Sequence, residues 1–181
     1  MASRGRWETG LVALVGMLTA SLALAQSHSA LAPNRVDINP GLVTSGQPSA
    51  EALASLRAEG FDAVIYLAPP TVSDAVRDEA LIVTKQGLTF VNIPIKFDAP
   101  TEQDFETFTS VLSALSPRKV LVHCQINLRA SSMVFLHRAI TAKEDPRAAY
   151  EAVAKVWSPD GAWKTLMRTL LRKNGVTFEP Y

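Results

Sequence analysis

One short run of this chain carries residue types that can do covalent chemistry: Val120-Leu121-Val122-His123-Cys124-Gln125-Ile126-Asn127-Leu128-Arg129-Ala130-Ser131. It holds the only cysteine, and Arg129 follows five positions later. A loop that leaves a strand and winds into a helix turns successive backbone N–H groups inward, making a nest for an anion. A thiol at its base lies in the same field, which favours the nucleophilic thiolate. The spacing therefore predicts Cys124 as nucleophile, Gln125, Ile126, Asn127 and Leu128 as an amide cradle, and Arg129 as the fork that clamps two anion oxygens. The usual glycine of such a loop is missing. Asn127 is its substitute, because Asn tolerates positive φ better than most residues. His123 is expected behind the loop, its ring bonded to nearby backbone. The bland alternative is an inert buried cysteine beside an arginine engaged in a surface ion pair.

A thiolate that displaces an ester needs a proton for the leaving oxygen. Asp98, between Phe97 and Pro100, is the best candidate for that acid. Asp104 is the weaker one, because a place in the first turn of a helix already explains it. His137 reads as a packed residue in mid-helix. Three histidines and one cysteine at these spacings give no zinc signature, and no Gly-rich nucleotide loop or Gly-x-Ser-x-Gly elbow occurs. No metal and no cofactor are expected.

The elements that must position these residues are legible in the punctuation. Short strands are predicted at 36–38 and 42–44, around Pro40-Gly41. A helix should run from a Ser49 cap through Glu59, stopped by Gly60. Phe61 to Leu67 is a strand too apolar to alternate. A helix from about Asp74 to Gln86, capped by Ser73, should precede a strand over 88–95. Thr101 and Asp104 resemble a capping box, and Phe105, Phe108, Val111, Leu112 and Leu115 recur at helical spacing. After the strand at 119–123 and the cysteine loop, 130–141 is apolar nearly all round, a buried helix. Asp145-Pro146 opens another helix to about Trp157, and Ser158-Pro159 a last one ending near Gly175. Trp157 and Trp163 should pack the last two helices. Alternating strands and helices predict an α/β three-layer-type domain with a mostly parallel sheet. Such sheets bind ligands beyond the carboxyl ends of their strands, where Cys124 lies.

The 181 residues suit one domain, and the net charge of +1 sets up no field that would favour nucleic acid or membrane. Residues 1–25 read as a signal peptide: Arg4 and Arg6, an apolar stretch from Leu11 to Leu24, and Ala23-Leu24-Ala25 as cleavage site. Residues 26–34, with His28, read as a flexible segment, and 35–181 as the domain. The protein is thus expected to be periplasmic or secreted, with no stable membrane insertion after cleavage. An exported chain with one cysteine has no internal disulfide, so the thiol is buried and inert or kept for reactivity.

Val-Leu-Val-His-Cys followed by Arg and Ser resembles the cysteine-dependent protein tyrosine and dual-specificity phosphatase superfamily. Ser45-Gly46-Gln47-Pro48, Ala63-Val64-Ile65-Tyr66-Leu67, Asn92-Ile93-Pro94-Ile95 and His-Cys-Gln-x-Asn-x-Arg-Ala-Ser resemble a narrower bacterial phosphatase-like group. The resemblance spans roughly Val36 to Trp163. It implies the phosphatase fold, hydrolysis of phosphate monoesters through a phosphocysteine on Cys124, phosphate binding by Arg129 and acid help from an aspartate. The superfamily spacing is Cys-x5-Arg with Ser or Thr after the arginine. This chain has x4, and Ala130 follows Arg129, with Ser131 one position further on, where a helix points it elsewhere. The x4 spacing is also that of single-domain rhodaneses, which implies an alternative: a Cys124 persulfide that needs no general acid. A third reading is a pseudophosphatase that binds an anion or a partner without turnover. In the first two readings the partner is an anionic substrate, phosphorylated or sulfur-containing.

Overall fold

The computed structural model describes residues 32–181. The segment read as a signal peptide, and His28, lie outside the described residues. Five strands form one sheet: β1 (Val36–Asn39), β2 (Leu42–Ser45), β3 (Ala63–Tyr66), β4 (Thr89–Asn92) and β5 (Val120–His123). The order across the sheet is β1-β2-β5-β3-β4, with only the β1–β2 pair antiparallel. β5 is central and every residue in it is buried. Its last residue, His123, is in register with Ser45 of β2 and Tyr66 of β3. Cys124 therefore leaves the sheet at the carboxyl end of the middle strand, the crevice position for a ligand in an open α/β sheet.

The helices are α1 (Ala50–Ser55), α2 (Glu79–Thr84), α3 (Glu102–Ala114), α4 (Leu128–Leu136), α5 (Pro146–Ala154) and α6 (Gly161–Lys173). A π-helical turn, His137–Thr141, continues α4. The mostly parallel sheet flanked by helices is the α/β architecture expected from the alternation of elements. A large core cluster joins β3 and β5 to α3, α4, α5 and α6 on one side. A smaller one, with Val43, Leu53, Phe61, Val64 and Val83, packs under α1 and α2 on the other. From Arg129 to its end α4 is buried, as its apolar sequence requires.

Caps set several boundaries. The Ser49 hydroxyl accepts from the Ala52 N–H. Thr101 and Asp104 make a reciprocal capping box on α3, and the Asp145 carboxylate accepts from Ala148 N–H. Such caps contribute about 0.5–2 kcal/mol each.

Several boundaries differ from the sequence expectation; β4 stops at Asn92 rather than Ile95, and α5 at Ala154 rather than near Trp157. α1 ends at Ser55, and turns carry the chain to Gly60, whose φ of 83° lets Phe61 N–H bond the Leu56 carbonyl and sends Phe61 into the core. α6 begins at Gly161, because Asp160 is extended and Pro159 is buried as part of the approach. The largest difference is α2. Residues 74–78 are not helical; Val72, Ala75 and Glu79 close three-residue turns onto Pro69, Val72 and Val76. Ser73 does not cap, and the Asp74 carboxylate is bonded to Gln125 instead.

Candidate functional site

The chain turns from β5 into α4 through Cys124, Gln125, Ile126 and Asn127. Asn127 takes the left-handed conformation, φ 73° and ψ 2°, directly before the first helical residue, Leu128. Its side chain is buried: Nδ2 donates to the Asn34 carbonyl at 2.6 Å and to Thr44 Oγ1 at 3.1 Å. A glycine would supply the turn but not these two anchors. Ile126 is half exposed, and its carbonyl accepts from Asn34 Nδ2.

Arg129 is the second residue of α4, and only 5% of it is exposed. Its Nε donates to the Ile95 carbonyl at 3.0 Å, and Nη1 to Gln125 Oε1 at 3.3 Å. The guanidinium lies over the Phe97 ring, 5.1 Å from its centroid. Phe97 is held in turn: Trp163 Nε1 donates to its carbonyl at 2.9 Å, and its ring sits 6.0 Å from both Trp157 and Trp163. The two tryptophans expected to pack α5 and α6 thus also brace the arginine through Phe97.

Arg129, Phe97, Gln125, Ile126, Leu128 and Asp74 line a cleft of about 260 Å³. Two larger grooves, about 660 and 510 Å³, lie along the C-terminal segment and at the amino-terminal ends of β2 and β5. Neither is lined by Arg129 or by the turn that follows Cys124; the smaller cleft is lined by Arg129, Gln125 and Ile126, with Cys124 buried behind them. Gln125 spans it, with Oε1 on Arg129 and Nε2 donating to Asp74 Oδ1 at 2.8 Å. Cys124 lies at the base of the loop with no solvent exposure, and its N–H bonds the Ser45 carbonyl.

His123 departs from expectation. Its ring makes no hydrogen bond to backbone. Nε2 sits 2.6 Å from Glu79 Oε1 in a close contact rather than an aligned bond, and the ring stacks on Tyr66 at 4.8 Å. The stacking holds the imidazole flat and turns its edge toward α2. Asp98 also departs from it. It is exposed, one residue past Phe97, and is not part of the cleft lining; Phe97 is the residue whose ring packs against Arg129 and the tryptophans at the rim. The carboxylate that lines the cleft is Asp74, which the sequence reading had placed in a helix. Ser131 is buried in α4 and donates to the Leu128 carbonyl at 3.3 Å, away from the lining residues. Burial, then the carboxylates of Glu79 and Asp74, push the Tyr66 phenol up to about 12. His137 is remote from the cleft, hydrogen-bonded to Thr109.

Sequence reasoning missed Asp74, Gln47 and Glu79. The signal for Asp74 was present: Pro69-Pro70-Thr-Val-Ser-Asp is turn chemistry more than a helix start. A lone Glu with helical neighbours gave no sign that it would be buried. Among the described residues no group of three or more His, Cys, Asp and Glu side chains could hold a metal ion. No helix among them is long and apolar enough to cross a membrane.

Comparison with known proteins identifies the family and the fold. Residues 23–166 match the family described as "PTP-NADK: DSP-PTPase phosphatase fused to NAD+ Kinase". A DUF442 protein from Shewanella putrefaciens CN-32 is similar in structure, with a TM-score of 0.74 and 28% identity, covering 81% of this chain and 97% of that one. Tk-PTP in its active form superposes with a TM-score of 0.61 at 22% identity, covering 78% and 95% of the two chains. PTPMT1 in complex with PI(5)P does so with a TM-score of 0.65 at 15% identity, covering 78% and 96%. These last two share the fold. No curated protein matches the sequence.

Proposed function

Starting from the chain's membership of the PTP-NADK family of DSP-PTPase phosphatases, we propose that it hydrolyses phosphate monoesters through a phosphocysteine on Cys124. The observation that carries this reading is Arg129. Its guanidinium is nearly buried, immobilised on Ile95 and Phe97, and set in the wall of a cleft beside the loop that holds the cysteine. A planar fork fixed in this way suits a tetrahedral anion better than a surface ion pair.

On this reading, an entering phosphate takes the place of Gln125 Oε1 at Arg129 Nη1. The Gln125–Asp74 bond is exposed and worth only about 1 kcal/mol, so it opens cheaply. The Cys124 thiolate attacks phosphorus, the S–P bond forms, and the P–O ester bond breaks. The leaving oxygen takes its proton from a carboxylic acid. Asp98 is the acid implied by sequence and Asp74 the one on the cleft wall. Water then cleaves the S–P bond, releasing phosphate and restoring the thiolate. Phe97 and Ile126, both exposed at the rim, favour an ester with an apolar or aromatic leaving group. The signal-like residues 1–25 support an exported protein, periplasmic or secreted, which N-terminal sequencing of the mature chain from cell fractions tests.

The enzymatic test uses purified mature protein with p-nitrophenyl phosphate and, separately, thiosulfate plus cyanide. Phosphate release abolished by Cys124→Ser supports the proposal. Thiocyanate production that persists in Asp74→Asn and Asp98→Asn, with no phosphate release, replaces it with sulfur transfer, which the Cys-x4-Arg spacing favours. Binding of phosphate without either turnover makes the protein a pseudophosphatase.

A further inference from the structure

Glu79 is a carboxylate that the proposed chemistry does not use, yet it is 4% exposed and sits among the residues behind the cysteine loop. Burying an ionised carboxylate is costly unless partners compensate. Its partners are specific. Oε1 lies 2.6 Å from His123 Nε2, and Oε2 accepts from Gln47 Nε2 at 2.9 Å. Gln47 is anchored at its other end, where its backbone N–H donates to the Gln125 carbonyl at 2.8 Å. Gln47, Glu79 and His123 thus form a bracket. It runs from the residue after Cys124, through the start of α2, back to the residue before Cys124.

We propose that Glu79 is a positioning residue for the nucleophile. It acts through His123 and Gln47, and the inference rests on the reading of Cys124 as a thiolate. Glu79 Oε1 seats the edge of the His123 ring while Tyr66 stacks on its face, so the residue that leads into Cys124 is held from two sides. The reactivity of a loop cysteine follows the dipoles and charges its loop aims at it, so holding the loop in one geometry holds that reactivity. Gln47, fixed by the same carboxylate, holds the Gln125 carbonyl and with it the geometry of the loop. The other charged or titratable groups around this bracket are Tyr66 on β3, stacked on His123, Asp74 in the turn before α2, and Arg129 on α4. Burial pushes the Tyr66 phenol up to about 12, so the ring stacked on His123 brings no charge. Asp74 is bonded to Gln125 and Arg129 to Ile95 and Gln125, which leaves Glu79 as the carboxylate in contact with the imidazole.

The experiment follows the rate of iodoacetamide alkylation of Cys124 against pH in wild type, Glu79→Gln, His123→Gln and the double variant. Phosphatase kcat and KM are measured in parallel. Glu79→Gln is expected to move the alkylation midpoint up by about one pH unit, a tenfold loss of thiolate below the midpoint. It should lower kcat about tenfold with KM changed less than twofold. The double variant should match His123→Gln alone. Gln47→Ala, which removes a half-buried side chain rather than the charge, should move the midpoint the same way by a smaller amount. It keeps the test open if Glu79→Gln does not fold. A midpoint unchanged in both variants, with a lower melting temperature only, overturns the inference and leaves the thiolate reading intact. A wild-type thiol with the reactivity of free cysteine overturns both. A shifted midpoint in a protein without phosphatase activity upholds the bracket and sinks only the hydrolytic reading.

Discussion

Gly46→Ala tests whether the turn after β2 positions the cysteine loop. A Cβ at residue 46 would stand 2.8 Å from the Gln125 carbonyl oxygen and 3.0 Å from both Cβ and O of Pro33. Ordinary Cβ contacts begin near 3.4 Å, so roughly 0.6 Å, the difference between 3.4 and 2.8 Å, must open against Gln125. Backbone lies on both sides, and no flexible side-chain end can give way. Overpacking of this kind costs about 1–3 kcal/mol. The Gly46 N–H to Pro33 bond (2.6 Å) and the Gln47 N–H to Gln125 bond (2.8 Å) are strained as well, each worth about 1 kcal/mol. A loss of about 2–4 kcal/mol follows, which lowers the melting temperature by roughly 5–12 °C. Because Gln125 is displaced beside Cys124, the proposed turnover should fall at least tenfold in kcat, as a sub-ångström misplacement of reacting groups requires. The assays are thermal unfolding and p-nitrophenyl phosphate turnover. Gly41→Ala is the control, since its Cβ would meet nothing closer than Asn39 Oδ1 at 3.6 Å. A Gly46→Ala protein as stable and as active as the control refutes the steric reasoning. One that melts lower but turns over normally shows that the Pro33 side yields, and refutes the claim that Gly46 positions the loop.

Three further outcomes follow from other parts of the molecule. Asn127→Gly keeps the left-handed turn but loses the bonds to Asn34 and Thr44, a cost of about 1–3 kcal/mol; Asn127→Ala adds about 1–2 kcal/mol for the backbone. Denaturant unfolding should therefore rank wild type above Gly and Gly above Ala, and an Ala variant equal to Gly contradicts it. Arg129→Lys gives up the Nε bond to Ile95 and the planar contact with Phe97, so kcat/KM should drop about 100-fold and vanadate inhibition weaken; kinetics within threefold of wild type would remove Arg129 from the clamp. Burial holds His137 below its ordinary 6.5, with Glu144 opposing weakly. The folded state then binds fewer protons than the unfolded state as pH drops below 6.5, so stability present above that pH is lost as it falls. His137→Gln should flatten the dependence of unfolding free energy on pH between 7.5 and 5.5, and an unchanged slope assigns it to other groups.

How much of this was legible depends on whether a residue's role was local. The order of elements, the caps at Ser49, Thr101 and Asp145, and the loop that carries Cys124 and Arg129 could be read, because each depends on neighbours three or four residues away. Positive φ at Asn127 was legible for the same reason. The turn at 73–78 was not: Asp74 is satisfied by Gln125, 51 residues on, and a helical spacing of apolar residues over 74–86 competed with that. Glu79 was opaque because nothing in its neighbourhood announces burial; His123 and Gln47 reach it only once β2, β5 and α2 are packed. The same holds for Phe97. A phenylalanine in a loop before Asp98 looked like a flank, and became the platform for Arg129 only through Trp157 and Trp163, far along the chain.

That platform bears on the shortened loop. In a loop that sets its own arginine, removing one residue between Cys and Arg would move the guanidinium. Here the guanidinium is fixed from outside the loop, by the Ile95 carbonyl and the Phe97 ring, and Phe97 is itself fixed by α6 through Trp163 Nε1. Asn127, in its left-handed turn, starts α4 early enough to deliver Arg129 to that seat. The spacing of four is thus compatible with an anion clamp, because the seat is set by the segment between β4 and α3 and by the last helix. What distinguishes ester hydrolysis from sulfur transfer in this architecture is a proton donor, and the carboxylate already on the cleft wall is Asp74. If hydrolysis of an alkyl phosphate, whose leaving oxygen must be protonated, falls far more in Asp74→Asn than hydrolysis of p-nitrophenyl phosphate, the acid is Asp74. Equal losses on the two esters exclude it.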